Sequence, residues 1–149
     1  MFDLPVERIE TQGSQPAIVT RCGTRVPAQR IILAAGPGAP RLARNLGVYL
    51  PVQPMKGYSI TAPTGAAAPT ASITDVANRV VFARLGNRMR IAGLAEVGRR
   101  DTRVEPDRLR ALTDSARAAL PQAADYDNIE SSWAGLRRMA PDSLPITRT

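Results

Sequence analysis

The sequence predicts a chain of mixed α+β and α/β class: part of a doubly wound sheet, followed by an antiparallel sheet with a helix packed on it. Three observations lead there. Arg30 to Ala35 is a short, nearly continuous apolar run that ends in Gly36-Pro37-Gly38, as a strand buried on both faces of a parallel sheet does. Two β-prone runs, Arg79 to Ala83 and Arg88 to Ala92, are joined by Leu85-Gly86-Asn87, which suits a hairpin. Leu109, Leu112, Ala116 and Leu120 then recur at helical spacing.

In chain order, Val6 to Glu10 alternates loosely and Ala17 to Thr20 is β-prone, with a turn at Cys22-Gly23-Thr24. The strand at Arg30 to Ala35 leads through its glycine turn into a short helix, Pro40 to Asn45, which Gly47 is placed to stop. Strand, glycine turn and helix are the parts from which dinucleotide-binding sheets are built. Prolines at 51 and 54 precede a strand through Tyr58 to Thr61, and Pro63 to Pro69 reads as a surface loop. In the second hairpin strand Arg88 and Arg90 point one way and Met89 and Ile91 the other, so one face is wet and one buried. The long helix spans Glu105 to Leu120, with Pro106 in its first turn, acidic residues at its positive end and Pro121 to end it. Ile129 to Leu136 reads as a last strand.

A chain of 149 residues can bury a core of its own, and its apolar share of 44% fits a folded domain. No run is apolar for long enough to span a bilayer, and the opening Met1 to Pro5 lacks the pattern of a secretory leader. With one cysteine, Cys22, an internal disulfide and any multi-cysteine metal site are excluded. A soluble, reducing compartment fits: the cytoplasm, or attachment at the inner face of the plasma membrane. The net charge of +7 is carried by scattered arginines, Lys56 being the one lysine, without the basic patch and stacking aromatics of a nucleic-acid binder. The absence of histidine removes the commonest general base and most zinc sites. Any chemistry here is therefore chemistry a cofactor can perform, and hydride transfer to a flavin is one such reaction.

Three blocks carry a resemblance. Ile31-Ile32-Leu33-Ala34-Ala35-Gly36 is a strand ending in Ala-Gly. Leu50 to Thr61 reads Leu-Pro-Val-Gln-Pro-Met-Lys-Gly-Tyr-Ser-Ile-Thr, and Trp133 to Ile146 reads Trp-Ala-Gly-Leu-Arg-Arg-Met-Ala-Pro-Asp-Ser-Leu-Pro-Ile. In this order and spacing they resemble the FAD-dependent D-amino-acid dehydrogenases, small-subunit type, and their D-amino-acid oxidase and glycine oxidase relatives. The third block is similar to that family's Gly-Leu-Arg-Pro-Met-Thr-Pro-Asp-Gly-Pro signature. The resemblance implies residues 1–48 as a partial FAD-binding domain, 49–138 as a substrate-binding domain and 139–149 as the start of the return to the first. It implies FAD as cofactor, oxidative deamination of a D-amino acid to a 2-oxo acid and ammonia, and a quinone or another electron acceptor.

Arg137 occupies the motif position of the family's carboxylate clamp, where a planar guanidinium pairs with both carboxylate oxygens. Read by itself it is one more exposed arginine. Tyr58 either lines the substrate pocket or packs within its strand. Lys56 and Gly57 match a segment that passes the flavin, Gly57 permitting close approach and Lys56 being equally readable as a surface charge. Gly36 is either at the adenine end of the cofactor or a plain strand-ending glycine. Trp133 reads as a core residue rather than a site residue. The pattern departs from the family in three places: no Gly-x-Gly-x-x-Gly turn, Arg138 where proline is usual, and Ser143-Leu144 where Gly-Thr or Gly-Lys is expected. The expectation is a fragment that binds little or no FAD as an isolated polypeptide. The alternative reading is a non-catalytic interaction module, completed by a partner chain that supplies the rest of the flavin domain.

Overall fold

Val6–Glu10 (β1), Ala17–Thr20 (β2) and Arg25–Pro27 (β3) form a three-stranded antiparallel sheet with β2 in the middle. The computed structural model of the chain describes residues 3–144 and Ile146. Met1, Phe2, Pro145 and the tail 147–149, on which the leader reading and the end of the third motif block rest, lie outside the described residues. The chain divides into two compact units, Met1–Gln53 with Arg138–Thr149, and Pro54–Arg137.

In the first unit Ile9 pairs with Ile18 and Ile18 with Val26, and the alternate residues Ala17 and Val19 are buried. The turn at Cys22-Gly23 is closed by the Thr20 N–H donating to the Thr24 carbonyl at 3.0 Å, while the Thr24 N–H donates to Thr20 Oγ1 at 3.1 Å. A 3₁₀ turn at Gly36–Gly38 leads into the helix Ala39–Arg44 (α1), whose Leu42 and Ala43 are buried. Arg41 fixes this helix to the free edge of β1: its two terminal nitrogens each donate at 2.7 Å, to the carbonyls of Glu7 and Val6. A forked donor thus satisfies two edge carbonyls that the sheet leaves unpaired. Gly47 stops the helix with φ of 72°, donating to the Arg44 carbonyl, and Val48 donates to that of Ala43.

One expectation fails in this unit. Residues 30–35 are not a strand; they run without regular structure and mostly exposed, Ile32 at 91%. A strand exists only where a neighbour takes its N–H and C=O groups, and no strand of the described residues lies alongside this run. The strand expected at residues 30–35 is therefore not built, while the mixed α/β class with antiparallel sheets stands.

The second unit is organised by a five-stranded sheet made of Gln53–Pro63 (β4), Ile73–Asp75 (β5), Val80–Leu85 (β6), Arg88–Val97 (β7) and Ser131–Met139 (β8), in the order β5-β6-β7-β4-β8. The hairpin forms as expected: Leu85 pairs with Arg88 across a two-residue turn in which Gly86 takes φ of 64°. Tyr58 pairs with Gly93, Ile60 with Ile91 and Ala62 with Met89, and beyond them Val80 pairs with Gly93 and Phe82 with Ile91. These residues share one face of the sheet and are buried, with Ala134 of β8 among them. Covering that face is the helix Pro106–Ala119 (α2). Its Leu112 and Ala116 are fully enclosed, and Leu109 and Leu120 are partly buried beside them, as the apolar spacing requires. Enclosing Leu112 alone stabilises the unit by roughly 2 kcal/mol. At the helix end the Tyr126 hydroxyl reaches back to the carbonyls of Leu120 at 2.7 Å and Ala116 at 3.1 Å, so the last turn is capped by a side chain rather than by water.

Candidate functional site

Side chains alternate across a strand, and that rule sorts the candidate residues of the second unit. Tyr58 and Lys56 lie on the face of β4 that α2 covers. In β8, Ala134 shares that face, so Trp133, Gly135 and Arg137 point to the other. That second face carries Ser59 and Thr61 of β4, Val81 and Ala83 of β6, and Arg90 and Ala92 of β7, as the pairing register shows. Arg137 is exposed there and has no carboxylate partner among the described residues. Some arginines of the unit are engaged by carboxylates, Arg88 with Glu130 at 2.8 Å, Arg108 with Glu96 at 2.8 Å and Arg117 with Asp127 at 2.8 Å, whereas Arg90, like Arg137, is not. A guanidinium left open on a neutral-to-basic sheet face is free to take a carboxylate in two-pronged fashion.

Tyr58 does not join it. The ring is 1% exposed within the core, and its hydroxyl donates to Glu96 Oε2 at 2.9 Å. Burial, reinforced by that hydrogen bond, raises its pKa above the ordinary tyrosine value and keeps it protonated. Of the two readings of Tyr58, the structure takes the packed one, on the opposite face of the sheet from Arg137.

Lys56 overturns the reading of a surface charge. It has no exposed surface, and its Nζ lies 2.7 Å from Asp101 Oδ1, 4.0 Å from Glu105 Oε1 and 5.2 Å from the centre of the Tyr58 ring. Desolvation pulls its pKa down, but the bond to Asp101 and the contact with Tyr58 outweigh it, and the net shift is upward. Asp101 moves the other way, lowered chiefly by the hydrogen bond from Lys56. Arg99 pairs with Glu105, and Arg108 with Glu96, extending the network to the start of α2. The ammonium is thus engaged inside the unit by Asp101 and the Tyr58 ring. Sequence reasoning missed Asp101 and Glu105 as its partners, because their separation along the chain gives no local signal.

Gly57 sits opposite a bulge in β7: Lys56 pairs with Glu96 and Tyr58 with Gly93, so one residue faces two, and Leu94 there takes φ of 61°. A Cβ at position 57 would come no nearer than 3.7 Å to Leu94 O, so the fold itself does not demand glycine there. Gly36, in the first unit, has φ of 53° with open space around the position of a Cβ. Both present bare backbone, which fits a large planar or phosphorylated ligand at close range. Trp133, expected in the core, is 64% exposed on the same face as Arg137. Among the described residues no group of acidic, cysteine or histidine side chains could hold a metal, and no helix is long and apolar enough to cross a membrane.

A family model described as FAD dependent oxidoreductase (DAO) matches residues 1–149. The chain belongs to this family. FAD is the cofactor of the DAO family, and relatives named for a single activity cover nearly the whole chain. It is 41% identical over 147 residues to the D-amino acid dehydrogenase of Paramagnetospirillum magneticum, covering 97% of this chain and 35% of that protein. It is 40% identical over 143 residues to D-amino acid dehydrogenase 2 of Pseudomonas aeruginosa, with 95% of this chain and 34% of that one covered. The chain thus spans about a third of the length of these DAO relatives. Among solved structures, glycine oxidase from Geobacillus kaustophilus superposes with a TM-score of 0.83 at 26% identity, over 94% of this chain and 37% of that one. L-proline dehydrogenase from P. horikoshii, at 17% identity and a TM-score of 0.74, shows the DAO fold alone.

Proposed function

We propose that this chain is part of an enzyme that oxidatively deaminates D-amino acids to 2-oxo acids and ammonia, with Arg137 as the clamp for the substrate carboxylate. The observation that carries the reading is the exposed guanidinium of Arg137, in a chain that relatives named D-amino acid dehydrogenase match almost throughout. FAD, when bound, supplies the acceptor for the two electrons. Gly57 would lie against it through its backbone, while Lys56 holds the start of β4 in place from inside. Arg137 contributes orientation: a two-pronged bond to the carboxylate removes the substrate's rotational freedom and aims its Cα–H. Electrons then pass to a further acceptor, for which a quinone fits, and peripheral attachment to the inner face of the plasma membrane would bring the two together.

The exposed apolar run 30–35 supports a companion reading. Its backbone is unpaired, and strands from a longer polypeptide or from a complementing chain would complete a sheet around it.

The test is anaerobic reduction by D-alanine of the flavin-loaded enzyme of which this chain is part, followed by loss of flavin absorbance. Arg137→Ala is expected to raise the half-saturating D-alanine concentration on the order of a hundredfold or more. Arg137→Lys should recover only part of it, since an ammonium cannot reproduce the fork. Equal D-alanine dependence in the wild type and Arg137→Ala would refute the clamp.

A further inference from the structure

Trp133 lies four residues before Arg137 on the same strand and on the same face. Its indole is folded down along the strand over Gly135: a Cβ there would overlap ring atoms Cη2 and Cζ2 and stand 2.8 Å from Cζ3. Glycine at 135 is what lets the ring lie flat on the backbone. The other side of the ring is uncovered, since the residue remains 64% exposed although it is the largest side chain of all. Water against an indole face is costly, and an aromatic surface of this size left open beside a charged anchor is suited to an amphipathic ligand. The spacing suits a single amino acid: Gly135 and Arg137 are two residues apart on a strand, about 7 Å between Cα atoms. A substrate whose carboxylate sits on Arg137 would therefore carry its side chain over Gly135, against the indole.

We propose that Trp133 is the wall on which the substrate side chain packs, and that it sets a preference for D-amino acids with large apolar or aromatic side chains over D-alanine. This rests on the reading of Arg137 as the carboxylate clamp. Gly135 is a positioning residue for the wall, acting through the ring it lets settle.

The experiment is kcat/KM of the flavin-loaded enzyme of which this chain is part for D-alanine, D-methionine and D-phenylalanine. Trp133→Ala is expected to lower the D-phenylalanine to D-alanine ratio roughly ten- to a hundredfold. Trp133→Phe, which keeps a ring and the fold, should hold the ratio within a few-fold. Gly135→Ala should lower it as Trp133→Ala does, because the added Cβ lifts an intact indole off the strand; circular dichroism checks that each variant is folded. Arg137→Ala, run alongside, should depress all three substrates together. If it depresses none, the clamp reading has failed and the wall falls with it. If it does, while Trp133→Ala leaves the substrate ratio unchanged, the wall alone is overturned, and the indole is covered by another part of the enzyme.

Discussion

Adding one methyl group at Gly93 should destabilise the second unit, and the structure says how. Gly93 lies in β7 with Tyr58 paired on one side and Val80 on the other, so its backbone is held by two ladders. A Cβ would stand 2.8 Å from Leu112 Cδ1, 3.0 Å from the Arg79 carbonyl oxygen and 3.4 Å from Val80 Cγ2. The first of these is the tip of a side chain, but Leu112 is fully enclosed in the core, where close packing resists a new rotamer. The second is backbone and cannot yield without disturbing the start of β6. Overpacking of this kind costs about 1–3 kcal/mol. Leu112→Ala alone removes the obstructing branch but leaves a cavity, at about 2–5 kcal/mol. In the double variant the new methyl enters part of that cavity, so its loss should fall short of the sum of the singles, by roughly 0.5–3 kcal/mol. Urea unfolding followed by far-ultraviolet circular dichroism measures all four corners of the cycle. Strict additivity, or a Gly93→Ala variant as stable as the wild type, would refute the tight approach of α2 to β7 on which the argument rests.

Two further outcomes concern ionisation. The pKa of Asp101 is lowered by Lys56, so its stabilising contribution is present above the unfolded carboxylate value, near 4, and is lost as pH falls through the lower folded value. That of Lys56 is raised, so its share persists below about pH 10 and is lost only as pH rises through the folded value. Urea midpoints between pH 3 and 6 should therefore decline less steeply in Asp101→Asn than in the wild type; parallel slopes would contradict the pairing. The thiol of Cys22 is lowered to about 7, first by the Thr20 hydroxyl 3.0 Å away and then by Thr24. Its alkylation by iodoacetamide should have its inflection near pH 7 and shift upward in Thr20→Val, whereas an inflection at the usual thiol value near 8.5 in the wild type would count against the hydroxyl effect.

How much could be read beforehand differs by element. The hairpin of β6 and β7, and helix α2, were legible because each announces itself within its own residues: Gly86-Asn87 between β-prone runs, and Leu109, Leu112 and Ala116 at helical spacing. The strands β3 and β5 were not, since three residues with little burial carry no period, and they exist because β2 and β6 offer an edge to pair with. Residues 30–35 show the converse. Their pattern is that of a buried strand, yet pattern alone supplies no partner, and without one the run stays open.

The candidate site divides in the same way. The Trp-Ala-Gly-Leu-Arg block pointed to Arg137, and alternation alone sets Trp133, Gly135 and Arg137 on one side of a strand. Which side is covered could not be read from the sequence; it follows from α2 settling over β6 and β7, on the core that holds Tyr58, Ile60 and Ala134, so that alternation sends Arg137 and Trp133 to the other side of their strand. Lys56 makes the point most directly. A lone lysine reads as surface because burying an ammonium is costly, and only the tertiary structure, by bringing Asp101 to within 2.7 Å from 45 residues away, supplies the charge that makes burial tolerable. Periodicity and motif belong to the sequence because they act between near neighbours; burial and ion pairing belong to the fold because they depend on which distant residues arrive.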